Sequence, residues 1–472
     1  MSSSPAILQC LGITVIIQSV LGTDSPMRET KWWLLGGPKF TPRHSFATCV
    51  FKCPDDPTDS CIWLTGGFSD LHRAFSVETM ENENSDVWWS KDGASWSQVT
   101  EIYGDFLQGI GNVDAKIGGY VAPWFSRYGH SLNALDGDGD GIADVMILAG
   151  GFSPVASNDV WITTDGITWY FEGYAPWTER AYHGATIFQD KLWILGGSPM
   201  SNDVWVGKLE TDASRRVGVR LDWEQKLHPN EAPWTPRAGF CVVTHLRLQT
   251  KSLFEDNLAQ TKTESIFILG GLALSEEEDH PITGGTRTRN DVWSSTDGIS
   301  WDIVLPSSGN TMPWGPRAFH GCVASFGLED NSGDHGYSTS PLIVITGGGY
   351  MGRHGNKEVR ALEAYTDTWV SRDVGRGAWV RINHEEGSKN DANLYSTNEW
   401  TETNIKGRKV YRGKWGHTLV AHVDDSLHNQ NGTSNYADKI PSLLVIGGKV
   451  ESGPAVNDVF MAKNGFNLSW TR

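Results

Sequence analysis

The sequence predicts an all-β chain in which six four-stranded antiparallel sheets close side by side into a ring. Three recurring signals carry that prediction. A short apolar run ending in Gly-Gly occurs six times: IWLTGG at 62–67, DVMILAGG at 144–151, LWILGG at 192–197, IFILGG at 266–271, LIVITGG at 342–348 and LLVIGG at 443–448. Each is followed by an Asp-Val-Trp-like segment, starting at Asp86, Asp159, Asp203, Asp291, Asp367 and Asp458. Each is preceded by a basic residue that opens another apolar run, at Arg43, Arg127, Arg180, Arg237, Arg317 and Lys414.

Each unit thus supplies its strands in order. The first follows the basic residue. The second is the continuous apolar run, and the Gly-Gly pair ends it where the backbone must turn without side chains. The third carries the Asp-Val-Trp signal. Most units then turn through KDGAS, TDGIT or TDGIS, where Asp-Gly supplies a tight hairpin. The fourth carries a second Trp: Trp96, Trp169, Trp223, Trp301, Trp379 and Trp470. A lone four-stranded sheet cannot bury both faces, whereas a ring of sheets can, with the aromatic pairs filling the space between them. KWWLLGG at 31–37 stands before Pro42-Arg43, where later units end a fourth strand. It is expected to complete the sixth sheet beside the C-terminal segment and so remove two open edges.

The Arg-x-x-His start, the Gly-Gly doublet and the spaced aromatic pair resemble the kelch repeat, over residues 30–472. The resemblance implies a single six-bladed β-propeller of four-stranded blades, similar to the central domain of galactose oxidase. Repeat lengths are unequal, and the differences fall in loops.

Composition narrows the function classes. The chain has 472 residues, 39% hydrophobic and 20% charged, with a net charge of −17. That excludes a disordered chain and argues against nucleic acid as a partner. No apolar run reaches the length of a membrane span. Residues 1–22 carry no charged side chain, and 6–21 form one apolar stretch followed by Val20 and Gly22 at the −3 and −1 positions of a cleavage before Thr23. This reads as a secretory signal, although a basic leader is missing and a buried N-terminal strand is the alternative. The expected location is secreted or endomembrane lumen, with cytoplasm as the alternative. Cys53 and Cys61 bracket the polar loop CPDDPTDSC and are placed to form a disulfide across a hairpin, while Cys49, Cys241 and Cys322 read as buried thiols. Asn431 and Asn467 lie in glycosylation sequons.

Asp136-Gly-Asp138-Gly-Asp140-Gly141-Ile142-Ala143-Asp144 spaces carboxylates at positions 1, 3, 5 and 9 of a loop with Gly at 6. A hard cation needs six or more oxygens, and alternating Asp wraps them around one centre, with the Ile142 carbonyl adding another. The loop resembles the calcium loops in propeller blades of integrin alpha chains. A structural Ca²⁺ is expected, against the alternative of an acidic loop without metal.

Near the ring axis, Arg127, Arg180, Arg237 and Arg317, with Arg43 and Lys414, have two readings. They form a cationic rim that gathers carboxylate or sulfate groups, or they bond to a neighbouring blade. Trp124, Trp177, Trp234 and Trp314, three residues before four of those Arg, either meet a ligand or cover the interface between blades. His130, His183, His320 and His417 recur in step with the repeat and read as packing residues rather than a transition-metal cluster. Insertions at 68–84, 272–289, 349–365 and 385–411 crowd one face and are the better candidates for specificity; Glu276–Asp279 reads as a solvated tip. A protein- or glycan-binding module acting through this loop face is the reading adopted. A carbohydrate-active enzyme of epimerase or oxidase type, working at the channel, is the alternative. Tyr182-His183 is the nearest approach to an oxidase copper set, and the repeat pattern explains it.

Overall fold

A computed structural model describes residues 32–69, 85–99, 103–104, 122–137, 143–153, 155–249, 261–274, 286–304, 312–331, 336–354, 357–371, 379–382, 394–395, 402–405, 408–411, 413–422, 441–450, 455–462 and 467–468. Among them every regular element is a strand. None is a helix long and apolar enough to cross a membrane.

The repeat units form antiparallel ladders in the expected order. In unit one, Ala47–Lys52, Ser60–Thr65, Val87–Ser90 and Ser97–Gln98 pair consecutively. Unit two pairs Ser131–Leu135, Val145–Ser153, Val155–Thr163 and Thr168–Tyr174. Unit three pairs Gly184–Phe188, Lys191–Gly197, Ser201–Thr211 and Val219–Leu227. Unit four pairs Cys241–Gln249, Thr261–Leu274, Thr286–Ser295 and Asp302–Ile303. Unit five pairs Gly321–Asn331, Gly336–Thr346, Thr368–Ser371 and Trp379–Arg381. Second strands are apolar throughout because neighbours cover both faces: Ile62, Trp63 and Leu64 are completely buried, as are Ile147, Leu148 and Ile194.

The sixth sheet joins the two ends of the sequence. Thr418–His422, Ser442–Val450 and Ala455–Ala462 pair in order, and Trp32–Gly36 adds antiparallel to Ala455–Ala462. The N-terminal strand is therefore the fourth strand of this sheet, as its position before Arg43 suggested. Trp32, 1% exposed, is the tryptophan it contributes there. Trp470 lies outside the described residues.

Backbone hydrogen bonds run from unit to unit and return to their start. Ser45 N–H donates to Gly416 O, Gly416 to Phe319, Phe319 to Gly239, Gly239 to Tyr182, Tyr182 to Gly129, and Gly129 to Ser45, all at 2.7–2.9 Å. The six residues all have positive φ, between 55° and 65°. A second series joins neighbours through the Gly-Gly doublets: Gly67, Gly151, Gly271, Gly348 and Gly448 donate to the carbonyls of Arg127, Arg180, Arg317, Lys414 and Arg43, respectively. At Gly448, φ is +109° and a Cβ would come within 2.8 Å of His417 Cβ, so both conformation and close approach require glycine.

Two disulfides are present among the described residues. Cys53–Cys61 closes the hairpin, as expected, with its Cα atoms 5.0 Å apart. Cys241–Cys322 corrects the buried-thiol reading of those two residues. They stand on the first strands of units four and five, which pack side by side, with their Cα atoms 6.2 Å apart. Cys49 remains a thiol, directed at Met146 Sδ at 3.3 Å, and burial pushes its pKa up. Two disulfides fit an extracellular or lumenal location.

Candidate functional site

Each arginine at the start of a unit is consumed by a clamp. Arg180 donates from Nη1 to Asp203 Oδ1 at 2.9 Å and from Nη2 to Asp203 Oδ2 at 2.7 Å. The same Nη1 reaches Gly196 O at 2.8 Å, and Nε reaches Thr178 O at 3.0 Å. Arg43–Asp86, Arg127–Asp159, Arg237–Asp291 and Arg317–Asp367 repeat this bidentate arrangement. The Trp two residues after each Asp donates its indole N–H to the same carboxylate, as Trp161 does to Asp159 at 2.8 Å. Unit six changes both partners together: Lys414 replaces Arg and bonds Asp458, while Phe460 replaces Trp and lies 4.9 Å beneath the ammonium.

Burial alone would raise the pKa of Asp159, Asp203, Asp291 and Asp367; the paired guanidiniums hold all four below the usual carboxylate range. The partners belong to the arginine's own unit, so the expected bond to a neighbouring blade's carboxylate is corrected. The neighbour is reached through the arginine's backbone carbonyl instead. With Arg127, Arg180, Arg237 and Arg317 buried and fully engaged, the geometry favours a structural role over a ligand-gathering rim.

Trp124, Trp177, Trp234 and Trp314 are likewise buried. Each packs edge-to-face on the fourth-strand tryptophan of its unit: Trp124 on Trp169 at 4.6 Å, Trp177 on Trp223, Trp234 on Trp301 and Trp314 on Trp379. Phe40, which the sequence reading passed over, does the same to Trp96 at 5.3 Å. Its place three residues before Arg43 was the available signal. This geometry favours the interface reading of these aromatics over ligand contact.

The histidines knit adjacent units. His130 meets Thr65 Oγ1 at 2.9 Å, His183 meets Ser131 Oγ at 3.0 Å and His417 meets Thr346 O at 3.1 Å. Burial, then the nearby Arg127, Arg180 and Lys414 charges, hold these three imidazoles down to about 3, and His320 falls well below its ordinary value for the same kinds of cause. They are neutral packing groups at physiological pH. Among the described residues, no three His, Cys, Asp or Glu side chains converge as a metal-ligand set.

The acidic loop joins Ser131–Leu135 to Val145–Ser153, at the end of the ladder opposite the Gly-Gly doublets. Its two described ends are held together: Gly137 N–H donates to Asp144 Oδ2 at 2.8 Å, and Asp144 N–H donates to Leu135 O at 2.9 Å. Of the expected ligands, only Asp136 and Asp144 lie among the described residues. Asp138, Asp140 and Ile142 lie outside the described residues, as do residues 1–22, Asn431 and Glu276–Asp279. Asn467 falls in the short strand Asn467–Leu468, which runs parallel to Gly321–Asn331.

No family model matches the chain, and no curated protein matches it. Among solved structures, one described as "Structure of YjhT" is similar at a TM-score of 0.47 and 13% identity, covering 90% of this chain and 96% of that one.

Proposed function

We propose that this chain is a secreted or lumenal six-bladed kelch-type β-propeller, stabilised by Ca²⁺, that binds a protein or glycan through the face bearing the Gly-Gly doublets. The observation that carries the reading is the cycle of backbone hydrogen bonds from Ser45 through Gly416, Phe319, Gly239 and Tyr182 to Gly129 and back. It supports six repeats around one axis. The state of the titratable groups beside that axis favours binding over acid–base chemistry: the arginines are spent on aspartates, and the histidines are buried and neutral. The long connections that follow the doublets make the same face the natural place for recognition.

Calcium is assigned to the hairpin between Leu135 and Val145, held by Asp136, Asp138, Asp140, Asp144 and the Ile142 carbonyl. Its contribution is to staple the hairpin on the opposite face. The fold reading and the location are tested separately from the ligand. Expression in a secreting cell should release a chain that begins near Thr23. Chelation should lower its melting temperature, and Asp138→Ala should abolish that response. Solid-phase screening of the calcium-loaded protein against arrayed glycans and cell-surface proteins should then yield a saturable partner; measurable sugar turnover with no such partner would favour the enzyme instead.

A further inference from the structure

Aromatic side chains are distributed unevenly around the axis. The residue after each basic position is His44, Tyr128 and Trp415 in units one, two and six, but Ala181, Ala238 and Ala318 in units three, four and five. The residue after the Gly-Gly doublet enlarges the same side, since Phe68 bridges to His44 and Phe152 to Tyr128. Ring contacts run without a break: Trp415–His44 at 4.8 Å, His44–Phe68 at 5.3 Å, Phe68–Tyr128 at 5.3 Å and Tyr128–Phe152 at 5.3 Å. Phe68 and Phe152 are 38% and 37% exposed, and Tyr128 and Trp415 are partly exposed.

Two more rings lie inside this arc. Tyr182 and Phe319 meet each other at 5.0 Å, Tyr182 also meets Tyr128 at 6.0 Å, and Phe319 meets Trp415 at 5.9 Å. Both occupy the positive-φ positions of the hydrogen-bond cycle, at 55° and 56°, where units two, four and six place glycine. Bulky residues in that region are strained, and such strain persists where the surroundings over-determine it. The neighbouring glycines make the room: a Cβ on Gly129 would lie 3.0 Å from the Tyr182 ring, and one on Gly239 would lie 2.5 Å from the Phe319 ring. The backbone thus sets two aromatic rings as a floor beside an aromatic wall. Ser45 bonds the Tyr182 side chain, and burial pushes that phenol up to about 12, so it stays protonated.

We propose that this one-sided aromatic floor and wall is a binding site for a neutral sugar ring. The class follows from the chemistry on the surface. Exposed aromatic rings suit the C–H faces of a pyranose, and the phenol of partly exposed Tyr128 adds a polar group to the same patch. The cations beside the axis are buried against aspartates, so they supply no charge for an acidic group. The inference rests on the reading of this face as a recognition face and narrows that reading to one ligand class and one patch.

The test titrates the calcium-loaded protein with oligomers of glucose, galactose, mannose and N-acetylglucosamine, beside oligomers containing sialic or glucuronic acid, following tryptophan fluorescence. A neutral oligosaccharide is expected to bind. Phe68→Ala and Trp415→Ala should each weaken it at least tenfold, while Asp190→Asn, in the hairpin at the other end of the sheets, leaves it unchanged. Tyr182→Gly, which installs the residue that units two, four and six carry, should lose binding while still melting cooperatively. Binding of acidic sugars alone overturns the neutral-ring assignment. Neutral-sugar binding that ignores Phe68 and Trp415 overturns the patch but leaves a glycan-binding face. A protein partner with no sugar binding overturns the inference and leaves the broader reading intact, whereas the absence of any partner defeats both.

Discussion

The side-chain amide of Asn457 donates to the carbonyls of Pro38 and Phe40, at 2.8 and 2.9 Å, across a separation of more than 400 residues. Asn158 makes the same pair of bonds to Ala175 and Trp177, and Asn202 makes them to Ala232 and Trp234. The junction between the two ends of the sequence therefore repeats the junction between ordinary neighbours. Removing the amide leaves carbonyls short of a donor, so Asn457→Ala should cost about 1–3 kcal/mol, and Trp32→Ala about 3–5 kcal/mol. Denaturant unfolding measures both. A loss below 0.5 kcal/mol for Trp32→Ala, on the scale of ordinary surface changes, would mean that the N-terminal strand does not hold the sixth sheet.

The Arg180–Asp203 clamp predicts strong coupling. Arg180→Ala strands a carboxylate that is almost wholly buried and should cost about 3–5 kcal/mol. Adding Asp203→Ala should recover a large part of that loss. Strictly additive effects in the double-mutant cycle would show that the two side chains do not act as a pair.

Acid should loosen the packing between units. His130, His183 and His417 stay neutral in the folded chain down to about pH 3, whereas unfolded histidines take up protons below about pH 6.5. The unfolded state then binds more protons, so stability is complete above that point and is lost as pH falls through the window. Each histidine removes about 1.4 kcal/mol per pH unit within it. Below pH 4 the lowered Asp203 and Asp159 carboxyls add to the loss in the same direction. Units one and four carry Phe46 and Phe240 at the equivalent position, which makes His183→Phe the informative change. Its melting temperature should depend less steeply on pH between 6.5 and 4 than that of the parent, and identical slopes would refute the assignment.

Cys241–Cys322 spans a separation of 81 residues and ties units four and five along their inner strands. Losing it should cost about 2–4 kcal/mol, more than losing the short Cys53–Cys61 loop. Peptide mapping without reductant identifies the bond, and calorimetry of Cys241→Ser gives the magnitude. Free thiols at both positions would remove this staple from the account.

Much of this was legible because repetition is a strong signal. Six Gly-Gly runs located the second strands, and the position of Trp32 and Trp33 ahead of Arg43 located the closing strand. The spacing from Trp32 to Arg43 equals that from Trp169 to Arg180, so the role of Trp32 on the closing strand was readable as well. The partner of each arginine was also within reach, since Lys414 and Phe460 change together in unit six. The Cys241–Cys322 bond was not, because lateral contact between first strands depends on how the sheets pack rather than on any spacing within a repeat. The aromatic arc escaped for a related reason. His44 and Trp415 share one repeat position, but Phe68 and Tyr182 occupy two others, and only the packing of separate units brings the four to one place.

Because Trp32–Gly36 pairs with Ala455–Ala462, a chain emerging from the ribosome carries an unmatched edge until that distant stretch has been made. Its backbone donors and acceptors stay open to any passing strand until the final sheet is made. Completion of this sheet is thus a late event in assembly, and the separation of its two partners makes the unpaired strand the point at which misassociation would begin.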